Sequence, residues 1–426
     1  MIMVISFAAL FALLFLRLPI AVATGSVGVL GLAYYQGWSA AFSQLGSIAA
    51  ETVISYEFAV IPLFILMGNI VAKSGLAEEL YAATYALIGH LRGGLAITTI
   101  AACGGFSTFC GSSFATAATM SRIAYPSMIR YGYSAPMATG VIAAGGTLGI
   151  LIPPSIALVF YGIITETDIG QLFIAGVVPG LIGILMYCMT IICISYLKAD
   201  SCPSGEKMSF RERFAAIRQL WAFTALVAIV LGGIYLGFFS PTESAAVGVV
   251  GAITLTFIRG KFNAKRIKEA LEDSAATTVS LIAILIGSLI FANLVNVSNF
   301  PYLIVDWIDS LGFGLLGVLF IIICIYLVLG AVLESISMLL LTVPVFYPVV
   351  SSMGMDLIWF GIVVVVATEI SLITPPVGLN VFVLKSVLPE VELKTIFKGV
   401  IPFVVADLIR LALIVLVPSL SLMLVT

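Results

Sequence analysis

Charge is scarce in this sequence. Of its 426 residues only 9% are Asp, Glu, Lys or Arg, and 62% are hydrophobic, whereas a soluble domain carries roughly 25% charged residues. Polar intervals are scarce too. Apolar stretches recur from Ile2 to Leu424 with no soluble-looking gap longer than about 20 residues, the length that crosses a bilayer as a helix. That leaves no room for an extramembrane catalytic domain. Histidine occurs once, at His90, in a polar stretch from Glu78 to Arg92 that reads as a helix on the membrane surface. With no second histidine and no cysteine nucleophile beside it, His90 offers neither an acid-base pair nor a triad, which counts against an intramembrane hydrolase. The six cysteines (Cys103, Cys110, Cys188, Cys193, Cys202 and Cys324) form no CxxC pair and no Cys/His cluster. Buried, unreactive thiols are expected rather than a metal centre. A net charge of -2, without a basic patch interleaved with aromatics, gives no grip on nucleic acid.

The charge that is present sorts by sign. Basic residues gather in Lys198 to Arg218 and in Arg259 to Asp273, both expected to be cytoplasmic loops. Two spans, near Leu220 to Phe238 and Ala245 to Ile258, separate them, which puts the turn Ser240-Pro241-Thr242-Glu243 in the periplasm. If the segments around 95–126 and 314–348 re-enter without crossing, Arg17, Lys73, Arg92, Arg130, Lys385, Lys394 and Lys398 also face the cytoplasm. The periplasmic turns then hold Glu51, Glu57, Glu166, Asp168, Glu243, Asp306, Asp309 and Asp356, and no Lys or Arg. Trp38, Trp307 and Trp359 fall near span ends and read as interface anchors. Ile2 to Leu16 lacks a basic n-region and a small-residue cleavage site, so it is expected to be a retained first transmembrane helix.

Laid against itself at an offset of 222 residues, the chain matches Ser113 with Ser335, Pro126 with Pro348, Gly132 with Gly354 and Pro153-Pro154 with Pro375-Pro376. One such match is easily accidental, but a Pro-Pro pair and three further landmarks at one shift indicate a duplicated unit. Between equivalent points the chain crosses the membrane an odd number of times if the hairpins count as none, so the second unit is expected to be inverted. The expected fold is an all-α polytopic membrane protein with inverted repeats, each holding a re-entrant hairpin and a Pro-Pro-interrupted helix. Its parts are N-terminal scaffold helices (1–56), a first repeat (57–197) with hairpin 95–126 and broken helix 134–164, cytoplasmic loops and scaffold helices (198–276), and a second repeat (277–426) with hairpin 314–348, broken helix 357–387 and a last helix.

Each hairpin carries small and hydroxyl residues at its apex: GGFSTFCGSSFATAATM (Gly104 to Met120) and LGAVLESISMLLLTVP (Leu329 to Pro344). The interruptions read GTLGILIPPSIAL (Gly146 to Leu158) and EISLITPPVGLN (Glu369 to Asn380). Proline has no N–H, so Pro153 and Pro154 deprive the carbonyls of Gly149 and Ile150 of helical donors, and Pro375 and Pro376 do the same to Ser371 and Leu372. A single such break is readily a kink satisfied by a neighbouring Ser or Thr. Two at related positions, each beside a hydroxyl-rich hairpin, favour a cation site made of carbonyls and hydroxyls, which suit sodium. Helix N-termini converging on the same region could hold an anionic group without a basic side chain.

The segments GSSFATAATMSR, RYGYSAPMATG, GGTLGILIPPSIALVFYG, SPTESAAVG and ITPPVGLNVFVLK, in that order over nearly the whole chain, resemble the large membrane subunit of tripartite ATP-independent periplasmic (TRAP) transporters. The resemblance implies an elevator-type importer whose mobile domain contains both hairpins and both interrupted helices. It implies no bound cofactor, sodium as the coupling ion, a bacterial inner-membrane location and small carboxylates or sugar acids as cargo. It also implies two partners, a small membrane subunit of about four spans on a separate polypeptide and a periplasmic substrate-binding protein. Carried over by position, the sodium ligands fall on Thr108, Gly149, Ile152 and Ser155, and on Gly330, Ser371, Thr374 and Val377. The substrate falls near Ser112, Ser113, Thr116, Ser335, Ser337 and Asn380. The two sodium sets are related by the same offset found from the residues alone. Glu334, beside the second apex, is awkward next to an anion.

Asp407 and Arg410, three apart in the last span, are expected to form an internal ion pair, and Glu369 stands near the second break as either a functional or a structural group. Two other functions fit part of the pattern. A stand-alone sodium-carboxylate symporter would share the repeats and need no binding protein. A channel would suit the paired broken helices less well, and the chain has no voltage-sensor arginine array.

Overall fold

The computed structural model describes residues 2–198, 201–300, 302–303, 314–330 and 333–425. Asp306, Trp307 and Asp309 lie outside these residues. The described residues form helices and no strand. Six helices are long and apolar enough to cross a membrane: Tyr56–Lys73, Ile169–Leu197, Pro241–Ile258, Ala264–Val297, Ser335–Ser352 and Leu393–Leu416. A seventh is obtained if Phe210–Gln219 and Trp221–Tyr235, bent by 42°, count as one span.

The hairpin segments and the interruptions appear as breaks between shorter helices. Gly94–Cys110 and Ser113–Arg130 are separated at Gly111, whose φ of 53° suits glycine, and at Ser112, whose hydroxyl accepts from the Ala115 N–H at 3.4 Å. Leu315–Leu329 and Ser335–Ser352 are the second pair. Ala135–Thr147 continues as a 3-10 turn to Ile150, breaks, and resumes at Ile156–Thr165. Leu357–Ser371 breaks and resumes at Leu379–Val387. Pro153-Pro154 and Pro375-Pro376 are both cis. Equivalent helices start at the shared offset: Ser113 and Ser335 after caps Ser112 and Glu334, and Ala135 and Leu357 after caps Ser134 and Asp356.

The outer helices make a second group. Ala264–Val297 packs along Ile20–Gln36 and Val60–Lys73, and Pro241–Ile258 packs on Val60–Lys73. The segment Arg259 to Asp273, expected to be a loop, is mostly helix, because Asn263 caps it through N–H bonds from Lys265 (3.0 Å) and Arg266 (3.3 Å) and strong helix formers follow. Lys198 to Arg218 also contains a helix, Phe210–Gln219, opened by a Ser209/Glu212 capping box. Trp359 is not an interface anchor. It is 4% exposed and its indole N–H donates to the Ile414 carbonyl at 2.9 Å, a partner in the last helix. Trp38 is exposed, as an anchor requires. Of the cysteines, Cys193 and Cys324 are exposed rather than buried.

Some of the charged residues cluster. Lys73 pairs with Asp273 at 2.6 Å, and Glu79 of the helix Leu76–Ile88 holds Arg259 and, at 2.5 Å, Lys261. Burial opposes the Glu79 charge, but bonds and fields from Arg259 and Lys261 outweigh it and hold the carboxyl below its ordinary value. His90 lies beside Arg213, Nδ1 to Nη2 at 3.4 Å. A cavity of about 1110 Å3 is lined by Glu51, Glu57, Glu166, Asp168 and the Ser240–Thr242 turn.

Candidate functional site

Each hairpin apex lies against the interruption of its own unit. A Cβ built on Gly149 would sit 3.0 Å from the Ser112 carbonyl oxygen and 3.2 Å from Thr116 Oγ1, so the break and the first apex touch at backbone distance. A Cβ on Gly330 would collide with the Ser371 side chain, which places the second apex on the second break. Side chains larger than hydrogen would separate these surfaces.

The four deprived carbonyls fare differently. Ile150 accepts from the Ser155 hydroxyl, and Leu372 accepts from the Asn380 N–H at 3.0 Å. Ser371 receives only a long bond from the Thr374 N–H, 3.4 Å. For Gly149 no donor is found among the described residues. Of the two carbonyls that lose their helical donors at each break, one is thus closed by a residue beyond the prolines.

The hydroxyls share a geometry. Thr108 donates to Gly105 (2.7 Å), Ser371 to Thr368 (2.6 Å), Thr374 to Ile370 (2.6 Å) and Thr116 to Ser112 (2.9 Å), each to a backbone carbonyl. A hydroxyl that has given its only proton to the main chain presents lone pairs outward. Ser155, fully buried, caps Ile156–Thr165 and accepts from the Leu158 N–H at 3.2 Å as well. Ile152 and Val377, both half-buried, have only main-chain oxygen to offer. The donor set is oxygen throughout, as a hard monovalent cation needs.

Of the six expected substrate residues, Asn380 bridges the two units. Its Nδ2 donates to the Ala143 carbonyl at 3.2 Å, and it lies beside Gly146, which also contacts Ala117 one residue from Thr116. Its Oδ1 and the Ser335 hydroxyl, both buried, have no partner among the described residues. Ser337 is engaged, with its N–H and its hydroxyl donating to Glu334 Oε2, each at 3.1 Å. Glu334 is thus a helix cap turned back on its own N-terminus, where the helix dipole favours a carboxylate. Among the described residues no bond joins Ser335 or Ser337 to Ser112, Ser113 or Thr116. The units instead cross-pack: Ser113–Arg130 on Leu379–Val387, and Ser335–Ser352 on Ile156–Thr165. None of these six residues lines the acidic cavity.

Asp407 and Arg410 form the expected ion pair at 3.0 Å, fully buried, and Arg410 also holds Glu369, which sequence reasoning had left unassigned. Sequence offered no signal for that partner, 41 residues away along the chain.

A polytopic helical protein with paired broken helices and apical hydroxyls has the form of a membrane transporter, and comparison with known proteins agrees. The chain aligns over 90% of its length with the YdaH transporter of Alcanivorax borkumensis (TM-score 0.64, 13% identity, 89% of that chain) and over 91% with MtrF of Neisseria gonorrhoeae (TM-score 0.58, 13% identity, 85% of that chain), which supports the fold alone. Residues 7–420 match the family model described as tripartite ATP-independent periplasmic transporter, DctM component. The chain belongs to that family. It is 37% identical to the C4-dicarboxylate TRAP transporter large permease protein DctM of Pseudomonas aeruginosa, with 87% of each chain covered. It is 31% identical to the sialic acid large permease SiaM of Vibrio cholerae (97% of this chain, 93% of that one) and 32% identical to the ectoine large permease TeaC of Halomonas elongata (98% and 97%). It is a multi-pass inner-membrane transport protein and not an enzyme.

Proposed function

We propose that the chain is the large membrane subunit of a sodium-driven importer of small organic acids. It works with a small membrane subunit and a periplasmic binding protein and moves its cargo by an elevator motion of the hairpins and broken helices. The observation that carries this reading is the recurrence, at one sequence offset, of a hairpin apex seated on a broken helix, with hydroxyl lone pairs and an under-satisfied carbonyl at each break. Thr108, Gly149, Ile152 and Ser155 form one sodium site, and Gly330, Ser371, Thr374 and Val377 the other. The cargo's carboxylate is received near Ser112, Ser113, Thr116, Ser335, Ser337 and Asn380, where the N-terminus of Ser113–Arg130 supplies positive potential. Relatives named for C4-dicarboxylate and sialic acid support an acidic cargo.

The basic face carrying Lys73, Arg259 and Lys261 is cytoplasmic on this reading, and the acidic cavity is periplasmic. The deciding experiment places the chain and its small partner in proteoliposomes, with candidate binding proteins outside. Uptake of the cognate acid should require an inward sodium gradient and ignore ATP. Equal uptake in sodium-free buffer would remove sodium coupling.

A further inference from the structure

Thr147 and Glu369 occupy equivalent places, each two residues before the break residue of its unit, Gly149 and Ser371. A continuous line of buried polar contacts joins them. Thr147 Oγ1 lies 3.1 Å from the Tyr187 hydroxyl, and that hydroxyl donates to Asp407 Oδ2 at 2.5 Å. The other oxygen of Asp407 is 3.0 Å from Arg410 Nη2, and the same nitrogen holds Glu369 Oε2. All five residues are buried, and the line passes from the first broken helix through Ile169–Leu197 and the last helix to the second.

The direction of the line is fixed by proton count. Tyr187 has one hydroxyl proton and gives it to Asp407, so toward Thr147 it can only accept. Thr147 also has one proton, within reach of both the Ala144 carbonyl at 2.7 Å and Tyr187. Its hydroxyl therefore has two alternative acceptors, one within its own helix and one on the line. At the far end Arg410 lies close against Gly183, where a Cβ would meet its guanidinium, which seats the arginine on Ile169–Leu197. A buried ion cluster is a costly way merely to hold helices together, since apolar side chains of similar volume do so at least as well.

We propose that Thr147, Tyr187, Asp407, Arg410 and Glu369 are positioning residues that couple the two interruptions, so that sodium at one site raises affinity at the other. The inference rests on the two-site sodium reading above. The coupling element is the Thr147 hydroxyl and the turn that carries it, which settle in one arrangement when Gly149 is liganded and report it through Tyr187 to the turn that ends at Ser371.

The test uses the purified full chain in lipid nanodiscs, with equilibrium binding of radioactive sodium followed at constant ionic strength, choline replacing sodium, and the melting temperature without sodium read beside it. The wild type should bind sodium with a Hill slope above one. Tyr187→Phe removes both hydroxyl contacts and keeps the ring that meets Phe403 edge-on at 5.5 Å. It should lower the slope to one and raise the half-saturating sodium concentration about fivefold or more, with the amount of sodium bound at saturation unchanged. Thr147→Val cuts only the first link, leaves Tyr187 on Asp407, and serves if Tyr187→Phe does not fold. The double variant should match either single, because both break one line. A purely structural role would lower the melting temperature without sodium and leave the slope above one, which would overturn the coupling alone. A wild type with a slope of one would overturn the coupling alone, since two independent sites give that slope, and one that takes up no sodium would overturn the two-site reading and the coupling with it.

Discussion

At the first interruption the chain from Gly149 to Ser155 is buried at every residue but Ile152, which is half-buried. At the second, Pro375 and Pro376 are exposed, and Thr374 and Val377 are half-buried. Hydrogen bonding differs in the same sense. Ser155 turns its hydroxyl back onto the Ile150 carbonyl, while its equivalent is Val377, which has nothing to donate, and the Leu372 carbonyl is met instead by the Asn380 N–H after Gly378 turns the chain at a φ of 58°. One Pro-Pro motif thus gives a break sealed from within where serine follows, and one closed only by the next helix where valine and glycine follow. The second break can change its closure by moving Leu379–Val387, whereas the first must also give up a buried side-chain bond.

The sharpest way to break this comparison is to restore the helix at the second site. Pro375→Ala with Pro376→Ala supplies donors to the Ser371 and Leu372 carbonyls and lets the helix close. If the Ser371 carbonyl holds sodium, the variant stays folded and loses sodium stabilisation and uptake together. A plain kink would leave both near normal. The same pair of changes at Pro153 and Pro154, which are buried, should in addition lower stability.

The apical contacts rank next. Gly330→Ala puts a methyl group into the Ser371 side chain and should cost about 1–3 kcal/mol with most uptake lost, because Ser371 must leave its bond to Thr368. Gly149→Ala meets oxygen atoms at 3.0 and 3.2 Å and asks for a smaller adjustment, about 1 kcal/mol or less. Chemical denaturation and uptake measured on both variants check the order. Equal losses would mean that the two apices fit their breaks equally tightly.

Ser155→Ala should cost about 1–2 kcal/mol, since it removes a helix cap and leaves the Ile150 carbonyl without its donor. Val377→Ser, at the equivalent position, should change stability by less than about 0.5 kcal/mol because Leu372 already has the Asn380 N–H. Thermal unfolding of the pair reads the difference directly.

Much of this site was legible because its signals are local. Pro-Pro pairs announce lost donors wherever they fall, and the shared offset marks both breaks and the helix starts at Ser113 and Ser335 in the sequence itself. Asp407 and Arg410 could be paired because they stand three apart on one helix. What failed depends on contacts that no window contains. The Asn380 N–H reaches back to Leu372 only because Gly378 folds the chain over, Glu369 meets an arginine from another helix, and Trp359 is covered by the last helix rather than by headgroups. The basic segment 259–273 was misread for a different reason. Hydropathy separates lipid from water, not helix from coil, so a charged helix ahead of an apolar one looks like a loop until its asparagine cap is weighed.

The smallest expected effect is one of access, and it bears directly on which break a cation meets first. In a background with the native cysteines replaced, Cys193 and Cys324 being exposed, Ser155→Cys and Val377→Cys place one thiol at each break. Ser155 is fully buried and Val377 half-buried beside two exposed prolines. A membrane-impermeant maleimide should therefore modify Val377→Cys and leave Ser155→Cys nearly untouched, because a thiol must be both reachable and able to ionise to react. If Val377 contributes to a sodium site, sodium should slow its modification by about twofold at half-occupancy and further as the site fills, while choline at equal ionic strength should not. Equal reactivity of the two thiols would erase the difference in access between the breaks. Val377→Cys modification indifferent to sodium would preserve that difference and remove Val377 from the site.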